Sequence, residues 1–491
     1  LDCEVFKNIN CKNLPSLRRN IVYQFLYELL IVFIPLFTIP YVSRVLGAEN
    51  IGLFSYTYAV ANYFVLFANL GIKNYGSRTI AMVRNNKEEL NRNFSEILSI
   101  HIIFSIIVIF VYLVLLFFFV EDNLVIFLIQ SIYVFAAVFD INWFFFGIEK
   151  FKLTVGRNTL VKILSVFLVL VFVKTQTDLW IYALILALSV FVGQSVVWFA
   201  LKQYVSWRRP SWANMKQHIR PLFVLFLPIL ALSLYKYMDK IMLGSISSNV
   251  QVGFYENAEK IINVPMSLIM AFGVVLMPRI ANMVTSKDKG EVFKLIDMSM
   301  EAVMLLAIAI SFGLAGISFV LAPIFFGYEF EECGILIMGL AVTVPFMAFA
   351  NVIRTQYLIP YKEDKIFVVS LFLGAAVNLI VNIILIPYMA ARGAVIGTIF
   401  AEIIVCIYQS YFVRKKIFIK KYLLNTIPPI LIGIVMFVFV FQIGNVMNIN
   451  IVTLILQLLV GMFIYAVGVF LLMLKSRTRL MVLLRKFVVR Y

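Results

Sequence analysis

The chain has 491 residues, of which 63% are hydrophobic and 14% charged, and its mean hydropathy is +0.99. Soluble domains carry about 45–50% apolar and about 25% charged residues, so a soluble globular protein is excluded. The formal net charge of +17 needs no nucleic-acid partner to explain it, because the cations are placed as an orientation signal.

In chain order, residues 1–20 read as a polar, basic, cytoplasmic tail. A spanning helix needs about 20 mostly apolar residues, and runs of that kind follow near residues 21–42, 52–70, 97–119, 124–147, 154–173, 179–201, 221–243 and 252–276. Six more lie near 297–322, 334–358, 366–386, 393–413, 424–444 and 451–474, and a basic tail, 475–491, closes the chain. The predicted fold is therefore all-α and integral to the membrane, with about fourteen transmembrane helices.

Cytoplasmic loops carry the excess of Lys and Arg in membrane proteins. Most of the 42 Lys and Arg here fall on alternate connections and on the two tails. The opposite connections hold only Arg44, Lys174 and Arg392, while Lys162, Lys236, Lys240, Lys260 and Arg354 fall within spans. The alternation predicts a multi-pass protein with both termini in the cytoplasm. Every outer connection is short, the longest running roughly from Gly244 to Gln251. No outer lobe is left to carry catalytic loops, which argues against a polymerase, a ligase or a membrane-embedded glycosyltransferase. The pattern GxxxxGK[ST] of direct ATP drive is missing, and no zinc, nucleophile or phosphate-cradling constellation is seen. Cys3, Cys11, Cys333 and Cys406 are scattered without CxxC spacing, so neither a disulfide framework nor a metal site is expected.

Two stretches echo each other. Arg44 to Gly47 followed by Ile51-Gly52-Leu-Phe54 parallels Lys240 to Gly244 followed by Val252-Gly253-Phe-Tyr255. Further inward, Gly71 through Arg78 parallels Gly273 through Arg279, and Gly52 to Gly253 and Arg78 to Arg279 are both 201 residues apart. Six spans separate the copies, an even number, so the halves share one orientation and form a parallel repeat. The predicted organisation is an N-lobe of six helices over 21–201, a cytoplasmic linker over 202–220, a C-lobe of six over 221–413, and an appended pair over 424–474. Parallel repeats place a substrate path between lobes that rock against each other.

The run Pro40 to Gly47 with Ile51 to Phe54, then Leu70-Gly71 to Tyr75-Gly-Ser-Arg78-Thr-Ile-Ala81, then Asp239-Lys240 to Gly244, resembles the polysaccharide transporter branch of the multidrug/oligosaccharidyl-lipid/polysaccharide exporters, the Wzx-type flippases. The resemblance implies a protein of the bacterial cytoplasmic membrane that turns undecaprenyl-diphosphate-linked oligosaccharide repeat units from the inner to the outer leaflet by alternating access, for O-antigen or capsule assembly. Its implied partners are that lipid-linked oligosaccharide, membrane lipids and other polysaccharide-assembly proteins. Related branches, the lipid II flippases and the drug/cation antiporters, are the alternatives.

Ionisable groups inside a membrane are costly and usually face a cavity or a partner. Lys236 and Lys240 are four residues apart, as are Glu256 and Lys260, and each pair shares a helix face. Lys236 and Lys260 both fall roughly 12 Å below the outer turn at 1.5 Å per residue. A sugar diphosphate cannot cross hydrocarbon bare, so Lys236 and Lys260 are the leading substrate-binding candidates, with Arg354, Arg78 and Lys240 behind them. Local ion pairs and snorkelling are the competing explanations. Tyr235 and Tyr237 could stack on sugar faces. No organic cofactor is expected. Coupling to H+ or Na+ would need a carboxylate whose charge is cancelled differently in two states, and the candidates are Glu28, Asp140, Asp239, Glu259 and Glu402. Asn378 with Asn382 fits either a glue between helices or a polar cleft, and Pro228 and Pro265 are expected to kink their helices.

Overall fold

The computed structural model describes residues 14–285 and 289–475, with side chains from residue 37 onward and a few gaps. Glu28 and Tyr235 lie outside the described side chains, and most of each predicted tail lies outside the described residues. Among the described residues sixteen α-helices follow in order: α1 (Leu14–Asn69), α2 (Ile72–Val83), α3 (Lys87–Phe119), α4 (Leu124–Val138), α5 (Asn142–Gly147), α6 (Phe151–Phe172), α7 (Leu179–Leu201), α8 (Trp212–Ile246), α9 (Asn249–Thr285), α10 (Lys289–Phe326), α11 (Cys333–Ala341), α12 (Thr343–Ile353), α13 (Asp364–Met389), α14 (Ala391–Val413), α15 (Ile419–Val446) and α16 (Ile451–Lys475). Among the described residues, thirteen helical stretches are long and apolar enough to cross a membrane. Helix α1 itself runs through a break at Gly47, where φ is 77°, so it takes in the first two spans expected from sequence, 21–42 and, to within a residue, 52–70. Helices suit this solvent because hydrocarbon offers no partner for an unpaired N–H or C=O.

Several elements depart from the sequence expectation. The span at 124–147 is two helices, α4 and α5, because the chain turns at Asp140. The segment 212–220, expected as linker, is the start of α8. Helix α9 continues through Gly273, whereas its echo Gly71 ends a helix, with Leu70 and Gly71 both at positive φ. Of the cysteines, Cys333 and Cys406 are free thiols.

The described chain forms two compact units, one of residues up to 46 and 57–230, the other of 47–56 and 231 onward. In the first, Phe94, Trp143, Phe144 and Phe145 pack with Ile80, Ile97 and Leu222 into a buried aromatic-aliphatic core. Gly76 lies flat against the Trp143 ring, and Gly71 lets the backbone of α8 approach, a Cβ there meeting the Leu222 carbonyl at 2.9 Å. The connection before α8 is stitched to α3. Asn91 bonds Ser206 through both its amide nitrogen (2.9 Å) and its oxygen (3.0 Å), Ser95 Oγ accepts from Arg208 N–H, and Arg208 pairs with Glu88. Deeper in α8, His218 stands 2.9 Å from Glu96 and 2.6 Å from the Tyr75 hydroxyl, with all three inside the unit.

In the second unit the echo motif has a direct physical cause. A side chain on Gly52 would land on the Asn249 carbonyl, and one on Gly253 on the Ala48 carbonyl, so the two repeat glycines are where two backbones cross at contact distance. Tyr56 packs over Gly244, and Glu329 accepts the Ala48 N–H at 2.8 Å. Helices α15 and α16 dock on α10: Val440 and Met436 pack with Ile317 and Val320, and the Tyr465 hydroxyl donates to the Leu305 carbonyl at 2.7 Å.

Overpacking such a crossing cannot be relieved by rotamer change. Gly253→Val is expected to destabilise the protein by at least about 1–3 kcal/mol, read as a lowered midpoint of thermal unfolding in detergent, whereas Gly156→Ala, with open space around it, should leave the midpoint unchanged.

Candidate functional site

The second unit holds a cleft of about 550 Å³ walled by α8, α9, α11, α12, α13 and α14. Each wall contributes one helical face. On α14 the lining residues are Thr398, Glu402, Val405 and Gln409, and on α12 Thr343, Met347 and Asn351, continued by Arg354; these spacings of three and four define a face. Lys236 and Asp239 come from α8, Tyr255 and Glu259 from α9. Five residues predicted from sequence therefore meet at one cavity: Lys236, Arg354, Asp239, Glu259 and Glu402.

Arg354 is positioned by a local irregularity. Helix α12 gives way at Arg354–Leu358 to a π-helical turn, closed by Ile359 N–H to the Arg354 carbonyl at 3.0 Å. Pro360 has no N–H to offer the Gln356 carbonyl, and π-turns of this kind re-aim side chains at functional sites. The guanidinium donates to Asn351 Oδ1 at 2.7 Å and lies over the Phe367 ring. Lys236 is exposed to the cleft, with its ammonium 5.3 Å from the Tyr237 ring centre, and no carboxylate among the described residues pairs with it.

Asp239 is buried and satisfied by neutral donors. The Tyr255 hydroxyl donates to it at 2.6 Å, Asn382 Nδ2 at 2.5 Å, and the Thr398 hydroxyl lies 3.0 Å away. Asn382 is itself 3.2 Å from Asn378, and Gly397 lets α14 close onto this pair. The cage thus holds this carboxylate through hydroxyl and amide groups and not through an ion pair.

Lys240 and Lys260 stand behind the wall. Lys240, only 7% exposed, holds Glu256 at 2.6 Å and Glu259 at 2.8 Å, and Lys260 holds Glu256 at 3.1 Å. This cluster of two cations and two carboxylates ties α8 to α9 and presents Glu259 to the cleft. Arg78 is exposed on α2 of the first unit. Asp140, also there, accepts the Asn142 N–H at 3.0 Å and its side-chain amide at 2.7 Å, and Asn142 reaches Gln194 (2.8 Å) and Arg157 (3.1 Å).

Sequence reasoning missed Tyr255, Thr398, Asn351, Gln409 and Arg157. The polar stripe Thr398-Glu402-Gln409 along one face of α14 was a readable signal for two of them. Among the described residues, no group of three or more His, Cys, Asp or Glu is placed to hold a metal ion.

A family model described as "Polysaccharide biosynthesis protein" matches residues 17–284, more than half of the chain. This chain belongs to that family. Candidate O-antigen transporters are similar over most of their length: one from Shigella dysenteriae is 24% identical over 408 residues, covering 80% of this chain and 99% of the relative. Another, from Escherichia coli (strain K12), is 26% identical over 411 residues, covering 82% and 98%. Among solved structures, the lipid II flippase MurJ in an inward closed conformation superposes with a TM-score of 0.71 over 91% of this chain and 97% of that one, at 16% identity. That likeness is one of fold.

Removing one partner of a buried ion cluster leaves uncompensated charge. Lys240→Met should cost about 3–5 kcal/mol and sharply reduce recovery of monodisperse protein in detergent. Lys260→Met, at a more exposed pair, should cost no more than about 1 kcal/mol by the same assay.

Proposed function

We propose that this protein is a flippase that passes lipid-linked oligosaccharides across the bacterial cytoplasmic membrane for polysaccharide assembly, its substrate being an undecaprenyl-diphosphate-linked repeat unit. The carrying observation is the cleft that brings Lys236 and Arg354 together with neutral hydrogen-bonding side chains and the carboxylates Asp239, Glu259 and Glu402 inside a mostly apolar bundle. Family membership and the candidate O-antigen transporters that resemble the chain along its length support the same reading. The diphosphate needs fixed cations away from bulk water. The sugars need amide and hydroxyl partners such as Asn263, Asn351, Thr343 and Gln409, and the polyprenyl tail stays in lipid. Lys236 is the leading contact for the phosphates, because Arg354 is already engaged with Asn351 and the Phe367 ring. The alternation of basic connections supports cytoplasmic placement of both termini. Lys240 and Lys260 act in this scheme through Glu256 and Glu259, and other polysaccharide-assembly proteins would receive the product at the outer leaflet.

Asp239 is the favoured coupling group. A carboxylate caged by Tyr255, Asn382 and Thr398 can trade a proton or Na+ for a change in its donors, which is how differential binding biases two conformations. Asp140 lies in a separate network that includes Arg157, and its charge has a local role at the α4–α5 turn.

Deleting the gene should cause lipid-linked repeat units to accumulate on the inner leaflet while surface polymer disappears. Unchanged lipid pools with intact polymer would discard the flippase reading and promote the drug/cation antiporter. Within that assay, Lys236→Ala should lower polymer output by roughly ten- to a hundredfold, the value of a hydrogen bond to a charged group, with protein still reaching the membrane. Asp239→Asn keeps the cage but fixes the charge; its flipping rate in proteoliposomes should no longer respond to an imposed pH or Na+ gradient, and a full response would remove Asp239 from coupling.

A further inference from the structure

Helices α14 and α15 meet at an elbow on a connection with five cations in eight residues, Arg414-Lys415-Lys416-Ile417-Phe418-Ile419-Lys420-Lys421. The elbow encloses an open cleft of about 520 Å³ lined by Arg414, Phe418, Ile419, Lys420, Lys421, Leu424 and Asn425. We propose that this cleft is a binding site for the phosphate head group of an anionic phospholipid, separate from the substrate cleft between α8 and α14.

Three observations carry it. The first is charge: three cations line the cleft and no carboxylate does. Asp297 of α10 answers only Lys421, at 2.8 Å, and Lys420 has no ion-pair partner among the described residues. Helix α15 also starts here with no side-chain cap, so the positive end of its dipole faces the same cleft. The second is preorganisation. Asp297 takes both the Lys421 ammonium and, at 2.5 Å, the Tyr422 hydroxyl, fixing the first turn of α15, while the Arg414 guanidinium lies 3.7 Å from the Tyr411 ring centre. Two of the three cations, Arg414 and Lys421, are therefore held in place before any ligand arrives.

The third observation selects a lipid over a soluble anion. Phe418 is 76% exposed, and Leu423, Leu424 and Ile427 continue an exposed apolar strip along α15. A head group seated between Arg414 and Lys420 would lay its acyl chains on this strip. Basic pockets beside a membrane-spanning helix bind anionic head groups in this way. A general excess of cations on this side would orient the protein without forming a cleft, so the pocket residues should matter more than their equally charged neighbours.

Full-length protein in detergent is titrated with phosphatidylglycerol or with phosphatidylcholine, and bound lipid is counted by native mass spectrometry. One phosphatidylglycerol should be retained in preference to phosphatidylcholine. The pair R414Q/K420Q, both at exposed positions, should weaken retention by roughly thirtyfold, while K415Q/K416Q, which removes the same charge outside the cleft, should stay within about threefold of wild type. Equal loss in the two pairs would mean diffuse attraction, and equal retention of phosphatidylcholine would mean adsorption to the apolar strip; either overturns the site. Displacement of phosphatidylglycerol by equimolar undecaprenyl diphosphate would overturn the phospholipid assignment and give the cleft to the carrier lipid. The comparison of lipids on wild-type protein stands even if a variant does not fold.

Discussion

Lys240 sits between Glu256 and Glu259, and the arrangement of the second unit follows from that contact. A lone ammonium or carboxylate in a low-dielectric interior costs several kcal/mol, so placing any of these groups obliges the chain to place the others. With Lys260 completing the set, two residues of α8 and α9 cannot separate without exposing charge to hydrocarbon. The hairpin is thereby fixed, and with it the faces of α8 and α9 that wall the cleft. Lys236 lies one turn from Lys240 on the same helix and is spared this pairing, which leaves its charge available to a ligand.

The cleft treats its two signs differently. Its cations are exposed or lightly engaged, whereas Asp239 is surrounded by hydroxyl and amide donors that stabilise it without cancelling it. Neutral donors hold Asp239 in place without an ion pair, whereas Glu256 on the neighbouring helix is held by the two ammonium groups of Lys240 and Lys260.

Much of the fold was legible in the sequence because membrane insertion is governed by quantities that sequence carries directly: apolar length and the sign of loop charge. The residues Lys236, Arg354, Asp239, Glu259 and Glu402 could be picked out individually since ionisable groups are rare at depth. Which of them share a cavity, and which are consumed by partners, depends on helix rotation and long-range contact. Lys236 and Lys260 looked equivalent along the chain, yet only one lines the cleft. Local breaks were hidden for another reason. The turn at Asp140 arises from a side chain capturing the Asn142 backbone, and the π-turn at Arg354 from a proline six residues on, and both are compatible with an unbroken apolar run. The Gly52 and Gly253 echo was visible as a repeat, whereas its cause, two backbones crossing, needed coordinates.

The connection between the repeats bears on how the chain could be divided. Residues 206–208 are bonded to α3, and His218 is buried against Glu96 and Tyr75, so this loop is an integral part of the first unit and not a free tether. A gene split or an inserted tag within it would cut bonded, packed chain. The exposed turn at Ser247 and Ser248, at the far end of α8, is the gentler place to open the polypeptide. Of two co-expressed fragments divided there, the first would keep the contacts of the loop intact, and reassembly would depend on the hairpin charges finding one another across the cut.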